Sequence, residues 1–169
     1  MNQRYTSKYV ASLGLFSAFA VIASYIESLI PIHIGIPGIK IGLPNIIIVL
    51  VLYLLDAKSA IIVNIIRIII VGAMFGNAFS ILFSISGAIV SFLIMYLVKK
   101  INKISMLGVS VCGGVAHNIA QIVIASFIVK TYNLNYYLPF MIIGGLITGI
   151  LIGILSMNIY NKICNIEMR

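Results

Sequence analysis

Acidic residues are nearly absent from this chain: Glu27, Asp56 and Glu167 are the only three among 169 residues. They are far apart, so no cluster of carboxylates can hold a catalytic Mg²⁺, and metal-dependent diphosphate chemistry is excluded. There is no GxxxxGK[ST] phosphate loop, so the chain has no means of its own to power work by nucleotide hydrolysis. The two cysteines, Cys112 inside an apolar run and Cys164 near the C-terminus, argue against a disulfide or a metal motif. Nothing resembles a haem-attachment sequence, an iron–sulfur cluster or a zinc site. Charged residues make up only 8% of the chain, against roughly 25% in ordinary soluble domains. A soluble globule is thereby ruled out.

What fills the chain instead is apolar. Hydrophobic residues reach 62% and the mean hydropathy is +1.21, the composition of an integral membrane protein. The length leaves room for about six spans of ~20 residues joined by short loops, and none for a separate soluble domain. We therefore expect a single all-α transmembrane domain over residues 1–169, a six-helix bundle. The spans are placed at 9–30, 41–55, 59–75, 79–98, 106–130 and 138–160. Breaks fall at Pro31, Pro37 and Gly38, at the Asp56–Lys58 turn, at Gly76 and Asn77, at the polar loop Lys99–Lys103, and before Pro139. The second span is short for a crossing, which suggests tilt or enclosure by its neighbours. The first apolar segment is long and lacks a convincing processing site, so it reads as a span and not as a cleaved signal peptide.

The net charge of +8 is scattered over loop ends and does not form a nucleic-acid-binding face. It reads better as topology. Arg4, Lys8, Lys58, Lys99, Lys100, Lys103, Lys162 and Arg169 fall on one side, and Lys40 and Lys130 on the other. By the positive-inside rule both termini are cytoplasmic and the three odd-numbered loops face outward. Tyr132, Tyr136 and Tyr137 then form an outer interfacial belt or part of a ligand lid.

Given that orientation, the polar residues gather toward the outer half. Arg67 lies near the middle of the third span inside the run IIVNIIRIIIVGAMF. A guanidinium at that depth costs at least ~2.5 kcal/mol, so it faces a partner, a cavity or a ligand and not lipid. Asn64 sits one turn below it. Glu27 lies near the outer end of the first helix, Lys40 with His33 in the first outer loop, and Asn45 at the outer start of the second helix. His117 and Gln121 share a face of the fifth helix at i,i+4 with Asn118 adjacent. Glu27, Lys40, Asn45, Arg67, His117, Asn118 and Gln121 thus form a candidate substrate-binding set, with no metal among its requirements. Lys40, Arg67 and His117 would attract an anionic group, and Asn45, Asn118 and Gln121 would orient the rest. Each has a plainer role open to it. Arg67 and Glu27 can form an internal ion pair, Asn45 can cap a helix, and Asn64 or His117 can join helices by hydrogen bonds. Tyr25 and Phe75 are placed to stack on a flat ring.

Small residues form two further patterns. Gly145, Gly149 and Gly153 repeat every fourth residue along the last helix, a spacing that lets backbones approach closely and points to internal packing. Gly14 and Ala18, with Ala11 and Ser17 nearby, form a smooth strip on the inner half of the first helix that could receive another membrane subunit.

The segments SYIES (24–28), PGIKIGLPN (37–45), the Arg67-bearing helix, FSISGAIVS (83–91) and AHNIAQ (116–121) resemble a known family, the Gx transporters, also labelled heptaprenyl diphosphate synthase component I. The resemblance runs from about Lys8 to Tyr160. That family is similar in turn to the substrate-binding S components of energy-coupling factor (ECF) transporters, six-helix proteins that bind vitamins or other micronutrients from outside. The resemblance implies a small-molecule substrate, no resident cofactor and no enzymatic activity. It also implies an ECF coupling membrane subunit and two cytoplasmic ATPases as partners, with ATP consumed by the partners. In S components a small-residue motif on the first helix docks the coupling subunit, and Gly14–Ala18 is its nearest match here, departing from an AxxxA-like pattern at the first residue. The second function class is an accessory membrane subunit of quinone- or flavin-dependent electron transfer or of isoprenoid-quinone metabolism. The third is a purely structural membrane anchor.

Overall fold

The computed structural model describes residues 7–29, 42–75, 78–101, 103–130 and 136–167. Among these residues the chain is entirely helical: α1 (Ser7–Leu29), α2 (Leu43–Leu54), α3 (Ala57–Phe75), α4 (Ala78–Lys99), α5 (Met106–Val129) and α6 (Leu138–Glu167). All six expected helices are present. Every helix except α2 is long and apolar enough to cross a membrane. The largest departure from the expected bounds is α6, which continues to Glu167 instead of ending at Tyr160. The loop residues Pro31, His33, Pro37, Gly38, Lys40, Gly76, Asn77 and Tyr132 lie outside the described residues, as do Arg4 and Arg169.

Local chemistry accounts for the helix ends. Asp56 Oδ1 accepts from Ser59 N at 2.6 Å while the Asp56 carbonyl accepts from Ala60 N, closing the first turn of α3. Lys58 therefore belongs to the helix and not to the turn. Ser105 caps α5 by accepting from Gly108 N at 3.3 Å, and Lys130 ends that helix in a left-handed conformation, φ 52°. Gly42, at φ 80°, precedes α2, where Pro44 sits in the first turn with no amide hydrogen to leave unsatisfied.

The helices close into a ring in the order α1, α3, α4, α5, α6, α2, and α2 also packs on α3. α2 is the most enclosed element, with Ile48, Val49, Leu50, Val51 and Leu52 at most 2% exposed. In a bilayer such enclosure frees α2 from the length a lipid-facing helix needs. Its twelve residues cover about 18 Å, well short of the ~30 Å hydrocarbon layer.

One end of the bundle is defined by contacts between helix termini. Tyr9 and Ser59 share a 2.8 Å hydrogen bond. Lys99 Nζ donates to the Leu52 carbonyl at the end of α2 and lies 4.6 Å from the Tyr53 ring centre, so a cation meets the negative end of that helix. Tyr53 in turn packs edge-on against Tyr160. Lys8, Lys58, Lys99, Lys100 and Lys162 all belong to this end, while Lys130 belongs to the other. The charge segregation read from the sequence is a segregation in space.

α5 and α6 pack backbone to backbone. A methyl group placed on Gly145 would come 2.8 Å from Val115 Cα, and one on Gly149 2.7 Å from Val111 Cα. Ser110 Oγ donates to the Gly149 carbonyl at 2.9 Å across the same seam. The glycine series of α6 is internal packing. Gly14 differs: nothing lies within 4 Å of a methyl group built there, and Ala18 and Ala11 are exposed beside it, whereas Ser17 turns inward.

Candidate functional site

α2 begins inside the membrane layer. A methyl group on Gly42 would lie 3.2 Å from Ile152 Cδ1, so the start of α2 is level with Ile152. The far end of α2 is level with Tyr160, about two turns or ~12 Å further along α6. A helix that starts at such depth presents the positive end of its dipole where water is scarce.

Glu27 answers that charge. Its Oε1 accepts a short hydrogen bond from Gly42 N, which sets a carboxylate at the start of a helix whose N-cap residue has no side chain. Asn45 folds back on the same turn: its Nδ2 would be 3.0 Å from a methyl group on Gly42, and its amide donates to the Gly42 carbonyl at 2.8 Å. Asn45 thus lies in the first turn of α2, beside the N-cap residue Gly42.

Arg67 is half-buried on α3 and is held by its own helix. Its Nε and Nη2 donate to Asn64 Oδ1 at 3.2 Å and 2.7 Å. The Glu27 carboxylate acts on the guanidinium electrostatically, but among the described residues no direct ion pair joins them. The Nη1 group is left without a hydrogen bond to any described residue. The structure thus brings Glu27, Asn45 and Arg67 to the part of the bundle formed by α1, α2 and α3. Lys40, assigned to the same set, lies outside the described residues.

The other sequence-selected residues belong to α5, where it passes between α4 and α6. The His117 imidazole lies against Gly87 of α4, where a methyl group would come 2.7 Å from ring Cε1. Asn118, 3% exposed, donates through Nδ2 to the Met141 carbonyl of α6 at 3.0 Å, so its amide joins two helices. Gln121 is only 1% exposed, and its Oε1 is buried without a hydrogen-bond partner. A buried carbonyl oxygen left unsatisfied costs about 1–3 kcal/mol, which marks Gln121 as the residue of α5 with most to gain from a ligand. Of the expected outer aromatics, Tyr25, Tyr136 and Tyr137 are exposed.

Sequence reading missed the part played by Gly87. Gly87 makes the space that His117 fills; the signal was a lone glycine within the apolar FSISGAIVS segment, a position that usually has a packing reason. Asn64, for which a helix-joining role is open, accepts two hydrogen bonds from Arg67 within α3 through its Oδ1. Among the described residues no group of three His, Cys, Asp or Glu side chains is placed to hold a metal.

Fold and site together define a multi-pass helical membrane protein with charged and carboxamide side chains enclosed between its helices. The family model for heptaprenyl diphosphate synthase component I matches residues 16–159, and the chain belongs to that family, the one its sequence segments resemble. No curated protein matches it.

Proposed function

We propose that this chain is the substrate-binding component of an ECF-type uptake transporter, capturing a vitamin-like or other small organic micronutrient from outside for import powered by partner ATPases. The observation that carries this reading is the start of α2. A twelve-residue helix begins at membrane depth, with a carboxylate, Glu27, on its N-terminus and a guanidinium, Arg67, within electrostatic reach. Interrupted helices whose N-termini meet charged groups at depth are the usual architecture of membrane substrate sites. Gln121, with its unsatisfied Oε1, supplies a second polar contact from α5.

In this reading the chain binds and does not catalyse. The family name mentions a prenyl diphosphate synthase, but Glu27 is engaged at the α2 N-terminus and Asp56 closes the first turn of α3 at the opposite end. Carboxylates so placed do not chelate one Mg²⁺. The cationic end carrying Lys8, Lys58, Lys99, Lys100 and Lys162 is cytoplasmic by the positive-inside rule, so the α2 N-terminus is reached from outside. The exposed Gly14–Ala18 strip is the surface for the coupling subunit.

Native mass spectrometry of the gently purified protein, with release and identification of any bound small molecule, tests the reading. A stoichiometric water-soluble micronutrient supports it. A bound quinone or flavin cofactor that persists without partner ATPases would replace it with the electron-transfer role.

A further inference from the structure

Gln121 of α5 is 1% exposed, and neither end of its carboxamide makes a hydrogen bond among the described residues. Asn118, one turn inward, is bonded to the Met141 carbonyl, so the unused amide is particular to Gln121. Buried carboxamides are as a rule hydrogen-bonded, and an orphaned one is where a ligand completes the set. The contacts of α5 fix where this amide stands. His117 lies against Gly87 of α4, and Asn118 bonds to α6. Counting outward along these antiparallel helices puts Gln121 level with Phe83 of α4 and with the first turn of α6. Phe83 is about 8 Å from the start of α4 at Ala78, so the amide is held just inside the outer end of the bundle. A methyl group on Gly72 of α3 would meet Ile81 of α4 at 2.6 Å, and the same count puts Arg67 level with Ser86, at the depth of His117. A cation thus lies about one turn inward of a neutral donor–acceptor group.

A carboxamide presents an acceptor and a donor side by side in one plane. An anion uses only Nε2 and an ammonium group only Oε1, and either leaves the other end unsatisfied. A flat ring with an N–H beside a C=O satisfies both at once through two parallel hydrogen bonds, as glutamine does on the edge of a nucleobase. We propose that Gln121 reads such an edge. The captured molecule is a planar nitrogen heterocycle whose lactam, imide or ureide edge sits on Gln121 and whose anionic arm is directed inward to Arg67. The assignment rests on the uptake reading and narrows its substrate to that chemical class. Apolar rings and plain acyl chains fall outside it, because they leave the amide unpaired.

The test is calorimetric titration of the detergent-purified protein with carboxymethylthymine, which carries an imide edge and a carboxylate arm. Its N-methylated analogue, with the edge donor blocked, and phenylacetate, with no edge, are the comparison probes. The expected result is binding of carboxymethylthymine about tenfold or more tighter than of either comparison probe. Gln121→Leu should bring carboxymethylthymine down to the affinity of the methylated probe and leave that probe unchanged, whereas Arg67→Met should weaken all three alike. The ratio between probes in the unaltered protein is decisive even where a variant folds poorly. Equal affinity for the three probes, binding of none of them, or a ratio unchanged in Gln121→Leu would overturn the assignment. ATPase-dependent uptake of a compound without such an edge would overturn it while keeping the uptake reading. Edge-selective binding with no ATPase-dependent uptake would leave edge recognition standing and remove the uptake reading.

Discussion

Gly87 of α4 lies directly against the His117 ring of α5: a methyl group on Gly87 would meet ring Cε1 at 2.7 Å and Nδ1 at 2.9 Å. The missing side chain is what lets an imidazole sit between two transmembrane helices. Gly87→Ala must displace the ring or separate α4 from α5, and overpacking of this kind costs about 1–3 kcal/mol. The expected outcome is a lower thermal midpoint in detergent together with weaker ligand binding. Gly14→Ala, placed in open space, should change neither. Equal midpoints for the two variants would show that the His117 ring gives way freely.

Gln121→Leu separates a structural amide from a binding one. Removing a buried acceptor that has no partner relieves about 1–3 kcal/mol of desolvation, partly offset by imperfect packing of the branched side chain. The ligand-free variant should therefore be as stable as the parent or more so. If Gln121 receives substrate, the same variant should lose about tenfold or more in affinity, read by calorimetric titration with the ligand identified by mass spectrometry. Lower stability with unchanged affinity would assign Gln121 to the bundle alone.

Arg67 and Glu27 are coupled through space and not by a direct ion pair, so their variants should not mirror each other. Arg67→Met is expected to weaken an anionic ligand strongly, whereas Lys103→Ala, in the loop at the other end, should leave affinity unchanged. Glu27→Gln keeps a hydrogen-bond acceptor for Gly42 N but removes the charge from the α2 N-terminus, a loss of up to ~2 kcal/mol. It also removes a competitor for Arg67, so affinity for an anion should rise while stability falls. A double-mutant cycle on ligand affinity measures the coupling; strictly additive effects would place Glu27 outside the ligand's field.

The two small-residue patterns should respond oppositely to enlargement. Gly149→Leu forces a side chain into the Val111 backbone and should prevent stable folding. Gly14→Leu with Ala18→Leu should leave stability and ligand binding intact and abolish partner-dependent uptake. A cell uptake assay beside a detergent binding assay reads both. Undiminished uptake by the double variant would move the coupling surface away from α1.

Much of this protein follows from composition and order along the chain. Long apolar runs can satisfy their backbone only as helices in lipid, so six helices and their approximate bounds were legible, as was the grouping of Lys8, Lys58, Lys99, Lys100 and Lys162 at one end. A charge buried inside an apolar run is costly enough that Arg67 stood out without any structure. The close contact of α6 was legible too, because a four-residue glycine repeat has few other uses.

Which polar groups face one another was not. Asn118 and Gln121 are three residues apart on α5, yet one amide is used on the Met141 carbonyl and the other has an oxygen left over. That difference depends on where α6 passes, which no local pattern records. The α2 N-terminus takes its negative charge from Glu27, fifteen residues before Gly42 in sequence and on another helix. Sequence alone determined that the chain spans a membrane, how often it turns and which end is cationic, because those properties add up residue by residue along helices. Only the tertiary structure decided that α2 starts level with the middle of α6, that Glu27 meets the α2 N-terminus, and that His117 lies on Gly87. Those relations depend on the lateral packing of helices, which a one-dimensional pattern of polarity does not encode.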